Sequence, residues 1–385
     1  MARTLFRGAD IFDGDRLGPG SLLVEGGRIA AILPADTAAP DRAGSVELGG
    51  GTLCPGFVDL QANGGGGVMF NDTPDVATLA RIAGAHARLG TLTLLPTLVT
   101  DMPEITRAAV DAVSEAVARG VPGIAGLHLE GPHLSLARKG AHDPSLIRPM
   151  TGDDLGFLLE AARKLPRLLV TIAPESVATE QISEMAKAGI VVSLGHTDAG
   201  FDACRAAFAA GARVVTHLFN AMSQLGNREP GLVGAALVTG GVSAGLIADG
   251  IHVHPAAIRT ALAAKAGPGG LFLVTDAMAP AGTGMRAFRL NGREIRREAG
   301  RLTLADGTLA GADLDMARAL AVLTRDVGVA FDRALAMATS GPARILGRGD
   351  RHGKLAPGRA ADFVHLAPDL SLASVWRGGE RLAAC

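Results

Sequence analysis

The chain has 385 residues, enough for one large domain with a smaller companion, and 48% of them are hydrophobic. Its 37 Lys and Arg against 38 Asp and Glu leave a formal net charge of -1, which argues against nucleic acid and membrane surfaces as partners. With 12 Phe, 1 Trp and no Tyr, the chain also lacks the aromatic residues of a base-stacking platform.

Nothing at the start of the chain predicts a signal peptide. Residues 1–4 run directly into an alternating apolar segment, without an apolar core or a small-residue cleavage site. No uncharged apolar stretch reaches the roughly 18 to 20 residues that a membrane-spanning helix needs. Cys54, Cys204 and Cys385 are far apart and odd in number, so we expect buried or terminal thiols. We therefore expect a soluble, cytoplasmic protein.

Both ends of the chain have the character of a small β domain. Short alternating segments, separated by Gly-containing turns, occupy residues 4–7, 21–25, 28–32, 358–366 and 375–380. We predict that residues 1–54 and 348–385 form one small β-sandwich, with the main domain inserted between them.

The central residues 55–347 alternate apolar strands with amphipathic helices. Eight candidate strands end near Gln61, Pro96, Glu130, Pro174, Gly195, His217, Asp249 and Asp276. Helical patterns cover residues 75–89, 106–118, 153–164, 199–210 and 255–264. Eight such units predict an α/β fold, a closed (β/α)8 TIM-like barrel rather than an open doubly wound sheet. No GxGxxG follows a strand and opens a helix, which further weakens a dinucleotide-binding alternative.

An exception to the alternation follows the eighth strand. Residues 288–295 and 300–307 predict a β-hairpin insert near 286–308. Active sites of such barrels lie at the carboxyl ends of the strands, so this insert could cover the site or line its rim.

A carboxylate stands at the end of the third predicted strand. Glu130 ends an apolar run that Gly131-Pro132 interrupts, and a buried carboxylate is costly unless a positive group meets it. His196 and His217 end later strands, where either one alone could be a hydrogen-bonded structural residue. Two imidazoles, one carboxylate and a position left for water form the usual catalytic zinc pattern. We therefore predict a metal site at these three residues.

Two other strand ends bear on the same site. Asp276 ends the last strand and would be well placed as the base that a metal-assisted hydrolysis needs, although a turn cap is its structural alternative. Gln61 and Asn63 end the first strand, and their neutral amides are poor metal ligands beside imidazole or carboxylate. One metal ion is the simpler count.

Several loops carry further candidates. His142 could polarise a carbonyl or be a surface residue. Arg228 and His252 are loop cations suited to an anion such as phosphate, with solvated-surface roles as the alternative. His86, His352 and His365 lie in helix or sandwich segments, and for these we expect structural roles.

Taken together, the motifs resemble the N-acetylglucosamine-6-phosphate deacetylase family of the amidohydrolase superfamily. The likeness covers nearly the whole chain, and its motifs are specific only as a set. They lie at residues 55–64, 127–132, 139–144, 195–197, 216–222, 249–253, 275–280 and 307–311. Most of the superfamily has a His-x-His motif at the first strand, which holds a second metal. Here Gln61 and Asn63 replace it, as in the one-metal branch of the family.

The resemblance implies a role for each candidate. Glu130, His196 and His217 would hold one divalent ion per chain, with Zn²⁺ expected, while Asp276 would be the catalytic acid and base and His142 would assist the acetyl carbonyl. The implied substrate-binding set, with backbone contacts near its last two members, is Gln61, Asn63, His142, Asn220, Ala221, Arg228, His252, Leu309 and Ala310.

The implied reaction is hydrolysis of N-acetyl-D-glucosamine 6-phosphate to D-glucosamine 6-phosphate and acetate, in amino-sugar catabolism and cell-wall sugar recycling. Members of the family are commonly homodimers with phosphate contacts close to the subunit interface. Two alternatives stay open: the same chemistry on N-acetylgalactosamine 6-phosphate, and a catalytically silent relative that binds sugar phosphate.

Overall fold

The computed structural model describes residues 3–41 and 43–383. Cys385, one of the three thiols considered above, lies outside these residues, whereas Cys54 and Cys204 are buried and unpaired. No helix in the described parts of the chain combines the length and the apolar character of a membrane span.

Strands from both termini form one hydrogen-bonded sheet. Its members are β1 (Arg3–Phe12), β2 (Leu17–Glu25), β3 (Arg28–Leu33), β4 (Gly44–Glu47), β5 (Thr52–Pro55), β20 (Phe363–Leu366), β21 (Leu372–Arg377) and β22 (Glu380–Arg381). Their order is β22-β21-β20-β5-β1-β2-β3, with β4 also paired to β1. The terminal β domain is therefore present, as one continuous sheet that packs on itself, while its boundaries at 54 and 348 stay a prediction.

An aromatic cluster fills this terminal sheet. Phe363 of β20 stacks on Trp376 of β21 with ring centroids 5.0 Å apart, and both rings meet Phe6 of β1 edge-on. Leu22 and Ile29 complete the same buried cluster. Because β1 comes from one end of the chain and β20 and β21 from the other, this burial holds the two termini together.

The central part of the chain forms the predicted (β/α)8 barrel. Its parallel strands are β6 (Phe57–Ala62), β9 (Thr91–Val99), β10 (Leu127–Glu130), β11 (Leu168–Ile172), β12 (Val191–Leu194), β13 (Val214–Val215), β14 (Ser243–Leu246) and β15 (Leu271–Leu273). They pair in chain order, and all residues of β6 and β9 are buried, as expected of strands covered on both faces. A two-stranded ribbon of β7 (Gly64–Gly65) and β8 (Val68–Met69) follows β6.

Helices surround the barrel, and each of the five predicted helical patterns is found in one of them. They are α1 (Val76–Arg88), α2 (Pro103–Ala118), α3 (Gly152–Lys164), α4 (Thr179–Lys187), α5 (Phe201–Ala210), α6 (Gly231–Val238), α7 (Pro255–Ala264), α8 (Met316–Val322), α9 (Phe331–Ala338) and α10 (Ser340–Ile345). Asp75 caps α1 by accepting from the Thr78 amide, and Thr151 caps α3 in a reciprocal capping box. α2 begins at Pro103, before the predicted residue 106, because proline suits the first helical position.

The insert after β15 is larger than the predicted hairpin. It is a four-stranded antiparallel sheet of β16 (Ala287–Leu290), β17 (Arg293–Glu298), β18 (Arg301–Thr303) and β19 (Leu309–Ala312). The fourth strand was missed because its sequence, Leu-Ala-Gly-Ala, lacks the alternation of a half-exposed strand. The Ala312 amide donates to the Asp276 carbonyl at 2.9 Å, which anchors the insert beside the last barrel strand.

We expect Phe363→Ala to cost about 3 to 5 kcal/mol, because it empties the centre of the cluster that joins the two termini. The measurement is the shift in the chemical-denaturation midpoint, followed by the fluorescence of the single tryptophan, Trp376. Leu136→Ala, at a side chain that is 59% exposed, is the control and should leave the midpoint almost unchanged. Equal midpoints for the two variants would contradict the assignment of this cluster.

Candidate metal centre and active-site cavity

Three predicted ligands converge at the carboxyl ends of neighbouring barrel strands. Glu130 is the last residue of β10, while His196 and His217 each lie two residues beyond the ends of β12 and β13. Glu130 Oε1 is 3.2 Å from His196 Nε2 and 3.1 Å from His217 Nε2, and the two nitrogens are 3.1 Å apart. We call these three atoms the ligand triangle. All three side chains are buried.

The backbone at these strand ends is bent to aim the side chains into the barrel mouth. His196, His217 and Asp276 have φ angles of 47°, 27° and 52°, in the left-handed region that residues other than glycine rarely occupy. Each such residue costs on the order of 1 to 3 kcal/mol. Position 131 requires glycine, because its φ is 90° and a Cβ there would lie 2.1 Å from Thr100 Oγ1.

Hydrogen bonding decides which imidazole nitrogen of His196 faces the triangle with a lone pair. Nδ1 lies 2.9 Å from the Arg138 carbonyl oxygen, which can only accept, so Nδ1 carries the proton. In the neutral tautomer that carries this proton, the bare Nε2 points at Glu130 Oε1. Two lone pairs face each other at 3.2 Å unless a positive charge lies between them.

The donor set fits a divalent metal ion. Two imidazole nitrogens and one carboxylate oxygen are zinc ligands, and ligand atoms around a tetrahedral ion with bonds of about 2.0 to 2.1 Å lie roughly 3.3 to 3.4 Å apart. The edges of the triangle, at 3.1 to 3.2 Å, are close to that separation. His217 Nδ1 is buried without a hydrogen-bond partner among the described residues, so the polar contacts of this ring there are those of Nε2 within the triangle.

Electrostatics within the triangle also calls for positive charge. Burial raises the pKa of Glu130, but the hydrogen bonds and charges of His196 and His217 outweigh it and hold that pKa well below its usual value. Burial would lower the pKa of His217, yet Glu130 raises it. The Glu130 carboxylate is therefore ionised, and its negative charge is balanced by a protonated imidazole or by a metal ion.

His142 belongs to the same cluster. One ring nitrogen of His142 lies within 4.8 Å of a carboxylate oxygen of Glu130 and of a ring nitrogen of His196, so these three residues form a second possible ligand group. The triangle with His217 is the tighter arrangement, and we prefer it for that reason. Burial lowers the pKa of His142 to about 3, so its ring is neutral.

The hydroxyl of Thr100 controls the tautomer of His142. It donates to the Glu130 carbonyl at 3.0 Å and lies 2.8 Å from His142 Nδ1. Because the hydroxyl has one proton, His142 Nδ1 donates to it and Nε2 is left bare. A hydrogen bond from Nε2 to a substrate carbonyl requires this hydroxyl to turn from Glu130 towards Nδ1. Thr100 was not among the predicted site residues, because the second strand was predicted to end near Pro96, whereas β9 runs to Val99 and places Thr100 directly at its end.

Asp276 lies beside the triangle. Gln61 Nε2 donates to its Oδ1 at 3.1 Å and Asn63 Nδ2 at 2.7 Å, whereas Oδ2 accepts from none of the described residues. Burial and the negative charge of Glu130 raise the pKa of Asp276 to about 6. Gln61 Nε2 also lies 3.1 Å from Glu130 Oε1, so both amides act as donors towards carboxylates.

The triangle opens into a cavity of about 520 Å³. Ten of the predicted site residues line it: Asn63, Glu130, His142, His196, His217, Asn220, Ala221, His252, Asp276 and Leu309. The insert contributes Leu290 and Thr308 to the wall, so it lines the rim as predicted. Arg138 also lines the cavity and was not singled out from the sequence, where nothing distinguished it from a surface arginine.

Three predicted residues do not line the cavity. Gln61 is buried behind Asp276, and Ala310 is buried in the core of the insert. Arg228 lies in an exposed loop. His252 does line it, but its Nδ1 is 2.7 Å from Asp249 Oδ2, so it is paired with a carboxylate.

The histidines predicted to be structural are all held by hydrogen bonds away from the cavity. His86 Nε2 meets the Gly64 carbonyl at 2.8 Å and His365 Nε2 meets the Gly50 carbonyl at 2.7 Å. His352 Nδ1 lies 3.0 Å from Thr93 Oγ1.

Comparison with known proteins places this geometry in a family. The sequence profile of the Amidohydrolase family matches residues 52–382. The chain belongs to the amidohydrolase family. It is 44% identical over 335 residues to the N-acetylgalactosamine-6-phosphate deacetylase of Shewanella sp. (strain ANA-3), covering 87% of this chain and 84% of that one. It is 37% identical to the human N-acetylglucosamine-6-phosphate deacetylase, covering 98% and 95%.

Solved structures of this amidohydrolase group superpose over the whole chain. The N-acetylglucosamine-6-phosphate deacetylase of Pasteurella multocida gives a TM-score of 0.93 at 33% identity, covering 99% of this chain and 100% of that one. A point mutant of the Mycobacterium smegmatis deacetylase, in complex with N-acetyl-D-glucosamine-6-phosphate, gives 0.90 at 37% identity, with 99% of both chains covered. The predicted resemblance and the predicted fold class are confirmed.

We expect Glu130→Gln to lose bound metal, because a neutral amide replaces the only carboxylate of the triangle. Elemental analysis of the purified protein measures the effect, with one divalent ion per chain expected in the parent. Glu104→Gln, an exposed change in the first turn of α2, is the matched control and should retain it. A fully metallated Glu130→Gln protein would refute the ligand assignment, and two tightly bound ions in the parent would refute the one-metal count.

Proposed function

We propose that this amidohydrolase hydrolyses the N-acetyl group of N-acetyl-D-glucosamine 6-phosphate to give D-glucosamine 6-phosphate and acetate. The observation that carries the proposal is the position of Asp276 beside the ligand triangle, at the floor of one cavity. The substrate class is supported by the Shewanella and human relatives, which are deacetylases of N-acetylated amino-sugar 6-phosphates and match most of the chain.

Glu130, His196 and His217 are the proposed ligands of one divalent ion, with Zn²⁺ as the proposed identity. When bound, such an ion acts as a Lewis acid that polarises the amide carbonyl and makes water more acidic. Gln61 and Asn63 are proposed to hold Asp276 and face the substrate, because both amides donate towards carboxylates.

Asp276 is the proposed general base and acid. Two amides fix its Oδ1 and leave Oδ2 free to take a proton from the attacking water. A carboxyl group with a pKa raised to about 6 also holds that proton more readily than an ordinary aspartate. It then delivers the proton to the amine nitrogen as the C–N bond breaks. His142, once its Nε2 carries the proton, would donate to the carbonyl oxygen as negative charge develops there.

The proposed sugar-phosphate contacts are Asn220, Ala221, Arg228, His252 and the backbone near Leu309 and Ala310. Four of these six residues, Asn220, Ala221, His252 and Leu309, line the cavity. Arg228 lies in an exposed loop outside the cavity of its own chain, which is compatible with the proposed homodimer and a phosphate site close to the subunit interface. A cytoplasmic location is part of the same proposal.

N-Acetylgalactosamine 6-phosphate is a second candidate substrate. The observation in its favour is the 44% identity to the Shewanella enzyme, against 37% for the human glucosamine enzyme. The two substrates differ only in the configuration at C4. A silent sugar-phosphate binder is less well supported, because Asp276 and all three proposed ligands are present.

The substrate is tested by acetate release from both epimers under identical conditions. We expect release from N-acetylglucosamine 6-phosphate, loss of activity after chelation, and recovery when Zn²⁺ is returned. A kcat/KM clearly higher for the galactosamine epimer would replace the first candidate by the second. Absence of acetate from either substrate with the metallated protein would refute the deacetylase proposal.

We expect Asp276→Asn to lower kcat by a factor of roughly 10² to 10⁴, because the amide cannot accept the proton of water. The metal content should stay at the parent value, since this residue is not in the triangle. Asp313→Asn serves as a matched control, because its carboxylate pairs with Arg297 in the insert. Turnover by Asp276→Asn close to the parent rate would exclude the proposed role.

A further inference from the structure

A continuous hydrogen-bonded layer of five side chains lies inside the barrel, one from each of five consecutive strands or strand ends. Its members are Thr97, His128, Thr171, Ser193 and Thr216, and we call it the polar layer. The distances along it are 3.2 Å from Thr97 Oγ1 to His128 Nδ1, 2.8 Å from His128 Nε2 to Thr171 Oγ1, and 2.7 Å for each of the last two hydroxyl contacts. All five side chains are buried.

The protons of the polar layer have one consistent direction. Thr97 Oγ1 accepts from the Ala62 amide at 3.1 Å and donates to the Leu95 carbonyl at 3.2 Å, which uses its only proton. His128 Nδ1 must therefore donate to Thr97, and its bare Nε2 accepts from Thr171. The remaining hydroxyls then donate in sequence along the layer, so every member is satisfied and none can turn without breaking a neighbouring bond.

The polar layer lies next to two of the three proposed ligands along the chain. His128 is two residues before Glu130 in β10, so both side chains project to the same face of the strand. Thr216 immediately precedes His217. Thr171 is the register partner of Glu130 in β11, and its carbonyl accepts from the Gly131 amide at 3.2 Å.

The polar layer contacts the third ligand, His196, through the backbone that precedes it. Gly195 precedes His196, and a Cβ at Gly195 would lie 2.9 Å from both Thr171 Cγ2 and Thr216 Cβ. The backbone that carries His196 therefore rests directly on two members of the polar layer. His196 itself has a left-handed φ of 47°, a conformation that persists only where the surroundings hold it.

We propose that the polar layer is the positioning element of the ligand triangle, which keeps Glu130, His196 and His217 at the separation that a divalent ion requires. None of its members belongs to the ligand triangle or lines the cavity. An apolar layer would fill the same space, but it would lack the side-chain hydrogen bonds that join neighbouring strands beneath the ligands. This inference rests on the proposed metal site, and its test needs no substrate.

Thr171→Val is the decisive variant. It keeps the shape of the side chain but removes the central hydroxyl, so His128 Nε2 loses its donor and Thr216 loses its acceptor. We expect Zn²⁺ affinity to fall by about tenfold, the lower end of the effect seen for partners behind metal ligands. The measurement is competition for Zn²⁺ with a chromophoric chelator. Thr171→Ser, which restores the hydroxyl, should bind Zn²⁺ close to the parent affinity.

Thr339→Val is the matched control, because Thr339 is equally buried and its hydroxyl donates to the Leu335 carbonyl at 2.7 Å, outside the polar layer. It should leave Zn²⁺ affinity unchanged even if it lowers the melting temperature of the metal-free protein. Ser193→Ala removes only the terminal donor, so it should fold more readily and weaken binding less than Thr171→Val.

The outcomes separate this inference from the proposed function. Parent-like affinity in Thr171→Val, an equal loss in Thr339→Val, or no recovery in Thr171→Ser would each overturn the positioning role. A parent protein that binds no Zn²⁺ would overturn it as well. A parent that binds Zn²⁺ but releases no acetate would refute the deacetylase proposal and leave the affinity series decisive for the polar layer.

Discussion

Glu130 and two imidazoles meet at one point, and the rest of the barrel mouth is arranged around that contact. Taking a carboxylate out of water costs several kcal/mol unless a positive charge accompanies it. The hydrogen bond from His196 Nδ1 to the Arg138 carbonyl leaves Nε2 as the atom that faces Glu130. The positive charge comes from a protonated imidazole or from a metal ion, and the donor set suits the metal ion.

The need to balance buried negative charge also explains why the neighbouring polar side chains are hydrogen-bond donors. Gln61 and Asn63 bring N–H donors to Glu130 and Asp276, two carboxylates that would otherwise repel each other without any screening by water. Two histidines at these positions would offer lone pairs to a second metal ion. The amides instead stabilise negative charge by donation, which is consistent with a single metal.

The strained backbone of the site is held in place by contacts from several parts of the fold. Three left-handed residues at strand ends raise the energy of the folded state, since side chains crowd the backbone there. The polar layer below them, the Thr100 hydroxyl beside Glu130 and the insert anchored on the Asp276 carbonyl supply directional contacts that hold this backbone in place. The aromatic cluster of the terminal sheet acts at a distance, by joining the two ends of the chain beside the barrel.

Much of the fold was predictable because it depends on local periodicity. Eight apolar runs alternating with amphipathic helices specify a barrel, and buried strands such as Thr91–Val99 are apolar or Thr along their whole length. The fourth strand of the insert was not predictable in the same way. Its small residues carry no alternation, and it forms because β18 and the Asp276 backbone offer it hydrogen-bonding partners.

By itself, the sequence determined which residues stand at strand ends, and this was enough to bring Glu130, His196, His217 and Asp276 together, since parallel strands share one carboxyl edge. Only the tertiary structure decided how protons are distributed among them. The tautomers of His142 and His196 depend on Thr100 and Arg138, and the pairing of His252 with Asp249 depends on how one loop turns back on itself. Strand ends follow from periodicity along the chain, whereas hydrogen-bond direction depends on contacts made in three dimensions.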